Sequence, residues 1–295
     1  MKSFKNKVAV ITGAGSGIGR HLAILLKEAG ASVAICDINE QTLVETRNIL
    51  QKYKTKTSMH IIDVSCKRST NLLPQDVLKE HGEVNILFNN AGVTVNDSFE
   101  DTSETDWDWV INTNLHGIIN LTRAFLPVLK GKNQAKIINL SSIFGMIAIP
   151  NQSAYHVTKF GVRGFSESLS KELANTNISV HCVHPGHIGT NIASNARMSA
   201  KPKSIDPLQK IMGKFLSIGT TQNEMSDYFK KFGMHPSRAA QIILAGVLKN
   251  KKRIFVGLDA KLMDLSQRLL PMHYEKLFPF FLLPITILRN KKPVK

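Results

Sequence analysis

The chain has 295 residues, of which 43% are hydrophobic and 20% charged. This balance excludes a disordered or fibrous polymer, and a core of this size needs no disulfide or metal staple. With 38 basic against 22 acidic residues the formal charge is +16, which can attract anionic partners but does not name one.

The first seven residues contain no apolar run of the secretory type, and no apolar stretch reaches bilayer-spanning length. The expectation is a cytoplasmic protein. Cys36, Cys66 and Cys182 lie far apart and show no metal-ligand spacing. They read as small buried hydrophobes in a reducing compartment.

A first strand is expected over 8–11. Thr12-Gly13-Ala14-Gly15-Ser16-Gly17-Ile18-Gly19 follows at once, then a helical stripe of Leu22, Leu25, Leu26 and Ala29 stopped by Gly30. Glycines between a strand and a helix let the backbone approach a diphosphate, which then faces the positive helix end. A second strand over 32–36 ends in Asp37, placed to accept hydrogen bonds from ribose hydroxyls and to repel a 2′-phosphate. No Arg or Lys follows Asp37 directly and Ser16 is not basic, so NAD is expected over NADP. Leu43, Ile49 and Leu50 mark a second helix.

The third strand, over 58–62, is followed by Asp63-Val64 at the carboxyl edge, where Asp63 could meet an adenine amino group. The fourth, over 86–88, runs into Asn89-Asn90-Ala91-Gly92. The fifth, over 136–140, is followed by Ser141-Ser142. Thirteen residues beyond Ser142 comes Tyr155-His156-Val157-Thr158-Lys159, in a stripe continued by Phe160, Val162, Phe165, Leu169 and Leu173. Residues four apart share a helix face, so the Lys159 ammonium can lower the Tyr155 phenol and make a usable acid/base.

Sixth and seventh strands are expected over 179–183 and 253–256. The runs are mostly apolar, as in strands covered on both faces. Their alternation with helices specifies a doubly wound α/β fold with a parallel sheet.

Together these residues resemble the classical short-chain dehydrogenases/reductases over about residues 5–260. The matching pieces are Thr12-Gly13-x-x-x-Gly17-x-Gly19, Asp63, Asn89-Asn90-Ala91-Gly92, Asn114, Ser142, Tyr155-x-x-x-Lys159, and Pro185-Gly186 with Thr190. The resemblance implies a Rossmann-type domain with seven parallel strands. Tyr155 would then be the general acid/base, and Ser142 would polarise the substrate oxygen. Lys159 would bind the nicotinamide ribose and lower Tyr155, while Asn114 would support a proton relay. Gly13, Ser16, Gly17, Ile18 and Gly19 would line the pyrophosphate site, Asp37 the ribose, and Asp63 and Val64 the adenine. Asn90, Ala91 and Gly92 would border the second ribose. Pro185, Gly186, Ile188 and Thr190 would hold the nicotinamide end. His187 falls at a variable family position where it could touch substrate. His156 and His184 flank motif residues and read as packing or surface residues.

Residues 1–260 are expected to form the catalytic domain, with a substrate-covering lid over 188–235 and an extension over 261–295. Met198, Ile211, Met212, Phe215, Leu216, Met225, Tyr228, Phe229 and Phe232 favour a lipophilic alcohol, ketone or aldehyde. The apolar run 278–288, followed by Arg289, Lys291, Lys292 and Lys295, suits an anionic membrane surface, a subunit contact or cover for the pocket. Peripheral membrane association through 278–295 is therefore one expectation. Family resemblance further implies a dimer or tetramer built on helices near 103–131 and 152–176. The competing reading is a non-catalytic nucleotide-sensing or interaction protein on the same fold. No nucleic-acid motif or metal site appears.

Overall fold

The computed structural model describes residues 1–192, 194–198 and 231–277. Seven strands form one parallel sheet in the spatial order β3-β2-β1-β4-β5-β6-β7. They are β1 (Val8–Thr12), β2 (Ser32–Asp37), β3 (Thr57–Ile61), β4 (Ile86–Asn89), β5 (Ala135–Leu140), β6 (Ile178–Pro185) and β7 (Arg253–Val256). Each matches its apolar run to within two residues. The doubly wound α/β architecture expected from the sequence is the one observed.

The helices are α1 (Gly17–Glu28), α2 (Glu40–Leu50), α3 (Lys67–His81), α4 (Glu104–Ile111), α5 (Gly117–Lys130), α6 (Ser153–Glu172), α7 (Pro236–Leu248) and α8 (Leu258–Leu269). Side chains alternate between the sheet faces with the strand period of two. Ala9, Ile11, Ile86 and Phe88 pack with Leu22 and Leu26 of α1, Leu43 of α2 and Ile243 of α7. Val10, Leu87 and Ile137 pack with Leu73 of α3, Phe125 of α5 and Leu169 of α6. Helices thus cover both faces, which is why the inner strands carry no polar stripe.

Several expectations need correction. β3 is an edge strand and Ile61 is 50% exposed, so this strand is not covered as the others are. Ile49 and Phe160 are exposed. Each lies on the outer flank of its helix, away from the i, i+3, i+4 positions that face the sheet. Cys66 is exposed at the start of α3, while Cys36 and Cys182 are buried.

Ile211, Met212, Phe215, Leu216, Met225, Tyr228 and Phe229 of the expected lid lie outside the described residues, as does the 278–295 tail. The flanks of the lid region are described. Ile188 bridges Met234, and Arg197 bridges Val95 while pairing with Asp106 at 2.8 Å and stacking on Trp109 at 3.7 Å. Among the described residues no helix is long and apolar enough to cross a membrane.

Candidate active site

β1 ends beside β4, where strand order reverses and open α/β sheets form a crevice at their carboxyl edge. Backbone constraints shape that crevice. Gly13 and Gly17 have φ of 64° and 53°, a region L side chains avoid. A Cβ on Gly13 would lie 2.9 Å from both Ala91 Cα and Asn90 Nδ2, and one on Gly19 would run into the Gly13 carbonyl. The closeness is enforced from β4. The Thr12 hydroxyl accepts from the amides of Asn90 (3.0 Å) and Ala91 (3.1 Å), and Asn90 Nδ2 donates to the carbonyls of Thr12 (2.9 Å) and Gly13 (3.1 Å).

Ser16 precedes α1 and makes no side-chain capping bond, and the first turn of α1 carries no acidic residue. The amides of that turn are left to an external anion. Ile18 packs against the core. At the end of β2, Asp37 Oδ2 accepts from the Gly15 amide (2.8 Å) and Oδ1 from the Asn39 amide (3.0 Å). A carboxylate keeps further lone pairs for hydroxyl donors. The nearby Arg20 is committed elsewhere: to Glu45 at 2.8 Å, to the Thr46 hydroxyl at 2.9 Å and to the Gly15 carbonyl. A side-chain-free floor, an uncapped helix start and a strand-end carboxylate fit a dinucleotide.

The remaining expected cofactor contacts divide. Thr190 lies against the loop, its Cγ2 3.2 Å from where a Gly17 Cβ would stand. Ile188 is buried. Asp63 caps its own turn, accepting from the Ser65 amide (2.8 Å) and hydroxyl (2.7 Å) through one oxygen. Val64 packs on Gly117. The Pro185-Gly186-His187 turn is held by a residue the motifs do not signal. A Cβ on Gly186 would collide with the Asp259 carboxylate, which accepts from the His187 amide at 2.6 Å. The two residues are 72 apart in sequence, and no local pattern links them.

Asn114, Ser142, Tyr155 and Lys159 converge from three places in the chain: a π turn, the end of β5 and α6. Between α4 and α5 the helix widens into a π turn, Asn112–His116, a frequent mark of a functional position. Asn114 is fully buried; its Nδ2 donates to the Val93 carbonyl (2.8 Å) and its Oδ1 accepts from the Val93 amide (2.8 Å). A Cβ on Gly92 would stand 3.3 Å from Asn114 Oδ1 and 3.5 Å from Lys159 Nζ, which places this loop directly against both side chains. Lys159 Nζ donates to the Leu140 carbonyl at 3.0 Å and sits 5.3 Å from the Tyr155 ring centroid. Ser142 Oγ accepts from the Phe144 amide at 3.1 Å and lies close enough to the Tyr155 hydroxyl to favour its ionised form.

Burial lowers Lys159 to about 8 and pushes Tyr155 up to about 12, the latter opposed by Ser142. The phenol therefore stands above its ordinary value, with burial as the larger cause. His156 and His184 are both buried. His184 Nδ1 lies 3.2 Å from the Ser142 carbonyl, and its ring stacks on Phe255.

Residues 7–201 match the family model for short chain dehydrogenases. The chain belongs to the short-chain dehydrogenase family. It is an oxidoreductase, and similar proteins span its length. SadH of Mycobacterium tuberculosis is 36% identical over 281 residues, covering 94% of this chain and 95% of SadH. A 3-oxoacyl-[acyl-carrier-protein] reductase, FabG, of Chlamydia muridarum is 39% identical over 189 residues, 63% of this chain and 76% of FabG. The fold matches a short-chain dehydrogenase/reductase from Burkholderia phymatum, solved in complex with NAD, with a TM-score of 0.79. That alignment covers all of both chains at 24% identity.

Gly19→Ala is expected to raise the dissociation constant of the dinucleotide at least about tenfold, because its methyl needs the space of the Gly13 carbonyl. Calorimetric titration with the cofactor checks this, alongside an unfolding curve showing that the variant folds.

Proposed function

We propose that this dehydrogenase interconverts a lipophilic alcohol and the matching ketone or aldehyde, using NAD(H), with Tyr155 as general acid/base. The observation that carries the reading is the convergence of the Tyr155 hydroxyl, the Ser142 hydroxyl and the buried Lys159 ammonium beside a dinucleotide-shaped cradle. When bound, the nicotinamide dinucleotide supplies the hydride acceptor or donor.

The protein's own groups account for the proton. Tyr155 holds a proton at its hydroxyl for the carbonyl oxygen in reduction and takes it from the alcohol in oxidation. Ser142, already oriented by the Phe144 amide, donates toward the same oxygen and polarises it. Lys159 stabilises the phenolate that forms and binds the ribose. Asn114 supports onward proton movement. A sensor without chemistry has no use for a buried lysine beside a phenol, which favours the enzyme over the alternative.

Tyr155→Phe is expected to lower turnover by at least about a hundredfold while changing cofactor affinity little. Because the phenol is raised, it is protonated at neutrality. Carbonyl reduction should hold near about pH 7, and alcohol oxidation should still be rising at about pH 10, because the phenol ionises only toward about 12. Rates followed at the reduced-nicotinamide absorbance test both statements, and an active Tyr155→Phe variant would refute the acid/base role.

Preference for NAD is supported by Asp37 and by the engagement of Arg20 with α2. The measurement is the ratio of affinities for NAD and NADP. NAD should bind more tightly, and Asp37→Ala should narrow the gap.

The Met- and Phe-rich sequence 198–232 supports an apolar substrate, and the curated reductase relative acts on an acyl chain by name. Exposed Val157 and Phe160 on α6 support self-association through α4, α5 and α6 as a dimer or tetramer. Contact of 278–295 with an anionic membrane surface is supported by the exposed Leu258, Leu265, Leu269 and Met272 on and after α8, upstream of that apolar and basic run. Co-sedimentation with phosphatidylserine vesicles should be lost on deleting 278–295, and retention by the shortened chain would refute this contact.

A further inference from the structure

We propose that His156 is a positioning residue that sets the separation of Ser142 and Tyr155, acting as a neutral imidazole with its proton on Nδ1. The proposal rests on the dehydrogenase reading above and assigns a role to a side chain that reading treats as packing.

Ser142 and Tyr155 are joined by a stretch of chain with little regular structure. Beyond the short 3-10 turn Ile143–Gly145, residues up to Ser153 belong to no helix or strand. An irregular backbone is held in one position only where its amides and carbonyls find partners within the protein. The inner half of the stretch is fixed by close approach. A Cβ on Gly145 would stand 2.6 Å from the Lys159 carbonyl and would strike the Ser141 hydroxyl, so the turn rests directly on α6.

The outer half packs through Met146, Ile147 and Ile149 on Ala260, Met263 and Tyr274, and His156 ties it to α6. This side chain lies in the first turn of α6, adjacent to Tyr155, and is 7% exposed. Its Nδ1 lies 3.0 Å from the Phe144 carbonyl, and its Nε2 lies 3.0 Å from the Ile149 amide. One ring therefore bonds both limbs of the excursion. On the outer side the Tyr274 hydroxyl accepts from the Ala148 amide at 2.9 Å, so two consecutive amides of the returning limb are each bound by one side chain.

The partners fix the protonation state without reference to any titration. The Phe144 carbonyl only accepts, so Nδ1 must carry hydrogen. The Ile149 amide only donates, so Nε2 must be bare. Protonation of Nε2 would set donor against donor and open the returning limb. Burial acts in the same direction, holding His156 below its ordinary value.

The contacts close a circuit. The Phe144 amide donates to Ser142 Oγ, the Phe144 carbonyl accepts from His156, His156 adjoins Tyr155, and the Tyr155 hydroxyl lies beside Ser142. The Phe144 ring stands edge-on to both His156 (5.0 Å) and Tyr155 (6.2 Å), filling the centre of the circuit. Removing His156 leaves the Phe144 carbonyl and the Ile149 amide without their ring partner, so the turn that carries Ser142 is held on its far limb only by Tyr274 and apolar packing. Misplacement of a polarising hydroxyl by about 1 Å costs on the order of a hundredfold in rate.

The test compares wild type with His156→Phe, which keeps an aromatic ring and loses both bonds. His156→Asn keeps a donor near Nδ1, and His156→Gln keeps an acceptor near Nε2. In the wild-type protein at about pH 7, nitrogen-15 NMR should show hydrogen on Nδ1 and none on Nε2. His156→Phe should lower kcat about tenfold to a hundredfold, with KM and NAD affinity within about twofold. His156→Asn and His156→Gln should fall between. Hydrogen exchange should accelerate at the Ile149 and Phe144 amides in His156→Phe.

Hydrogen on Nε2, unchanged exchange at both amides, unchanged kcat, or joint loss of kcat and NAD affinity would each overturn the proposal. If His156→Phe does not fold, the tautomer and the two polar variants decide. Absence of any alcohol turnover in wild type would instead refute the dehydrogenase reading, and the tautomer and exchange measurements would still judge the geometry.

Discussion

The site is organised around one buried charge. Lys159 is 3% exposed, and its ammonium is hydrogen bonded to the Leu140 carbonyl. A cation in such a place is stable only if its donors are met and its surroundings are held still. The last residue of β5 supplies the acceptor, Gly92 withholds a side chain from the approach, and Gly145 lets a turn rest on the Lys159 carbonyl. α6 is thereby placed against β5 and β6 with little freedom. Tyr155, one turn earlier, takes its position from the same contacts.

The cofactor end works by different physics. There the chain removes obstacles rather than placing charges: three glycines open a floor, and Thr12 and Asn90 draw β1 and β4 together beneath it. The one charged group retained, Asp37, is held by two amides, and the nearest guanidinium is drawn off into an ion pair with α2. A fixed carboxylate beside an occupied cation presents negative potential to whatever enters.

Much of this was legible in the sequence because the signals were local. The seven apolar runs, the glycine spacing and the four-residue step from Tyr155 to Lys159 depend on neighbours along the chain. What escaped depends on distant partners. Asp259 holds the Gly186 turn from 72 residues away, and the π turn that aims Asn114 at Val93 has no residue signature. Exposure was also misjudged at Ile49, Phe160 and Cys66, since composition does not tell an inner helix flank from an outer one. The burial that raises the Tyr155 phenol depends on the depth of the pocket, which spacing along the chain does not report.

The strand order has a consequence for how the protein comes into being. β1, β2 and β3 are consecutive in sequence and adjacent in space, so they can assemble as soon as they leave the ribosome. The glycine loop they carry is not yet a binding site, because the amides and carboxamide that hold Thr12 and Gly13 belong to Asn90 and Ala91. The cradle therefore exists only where β4 is docked on β1, and a ligand that binds this arrangement alone stabilises that long-range pairing.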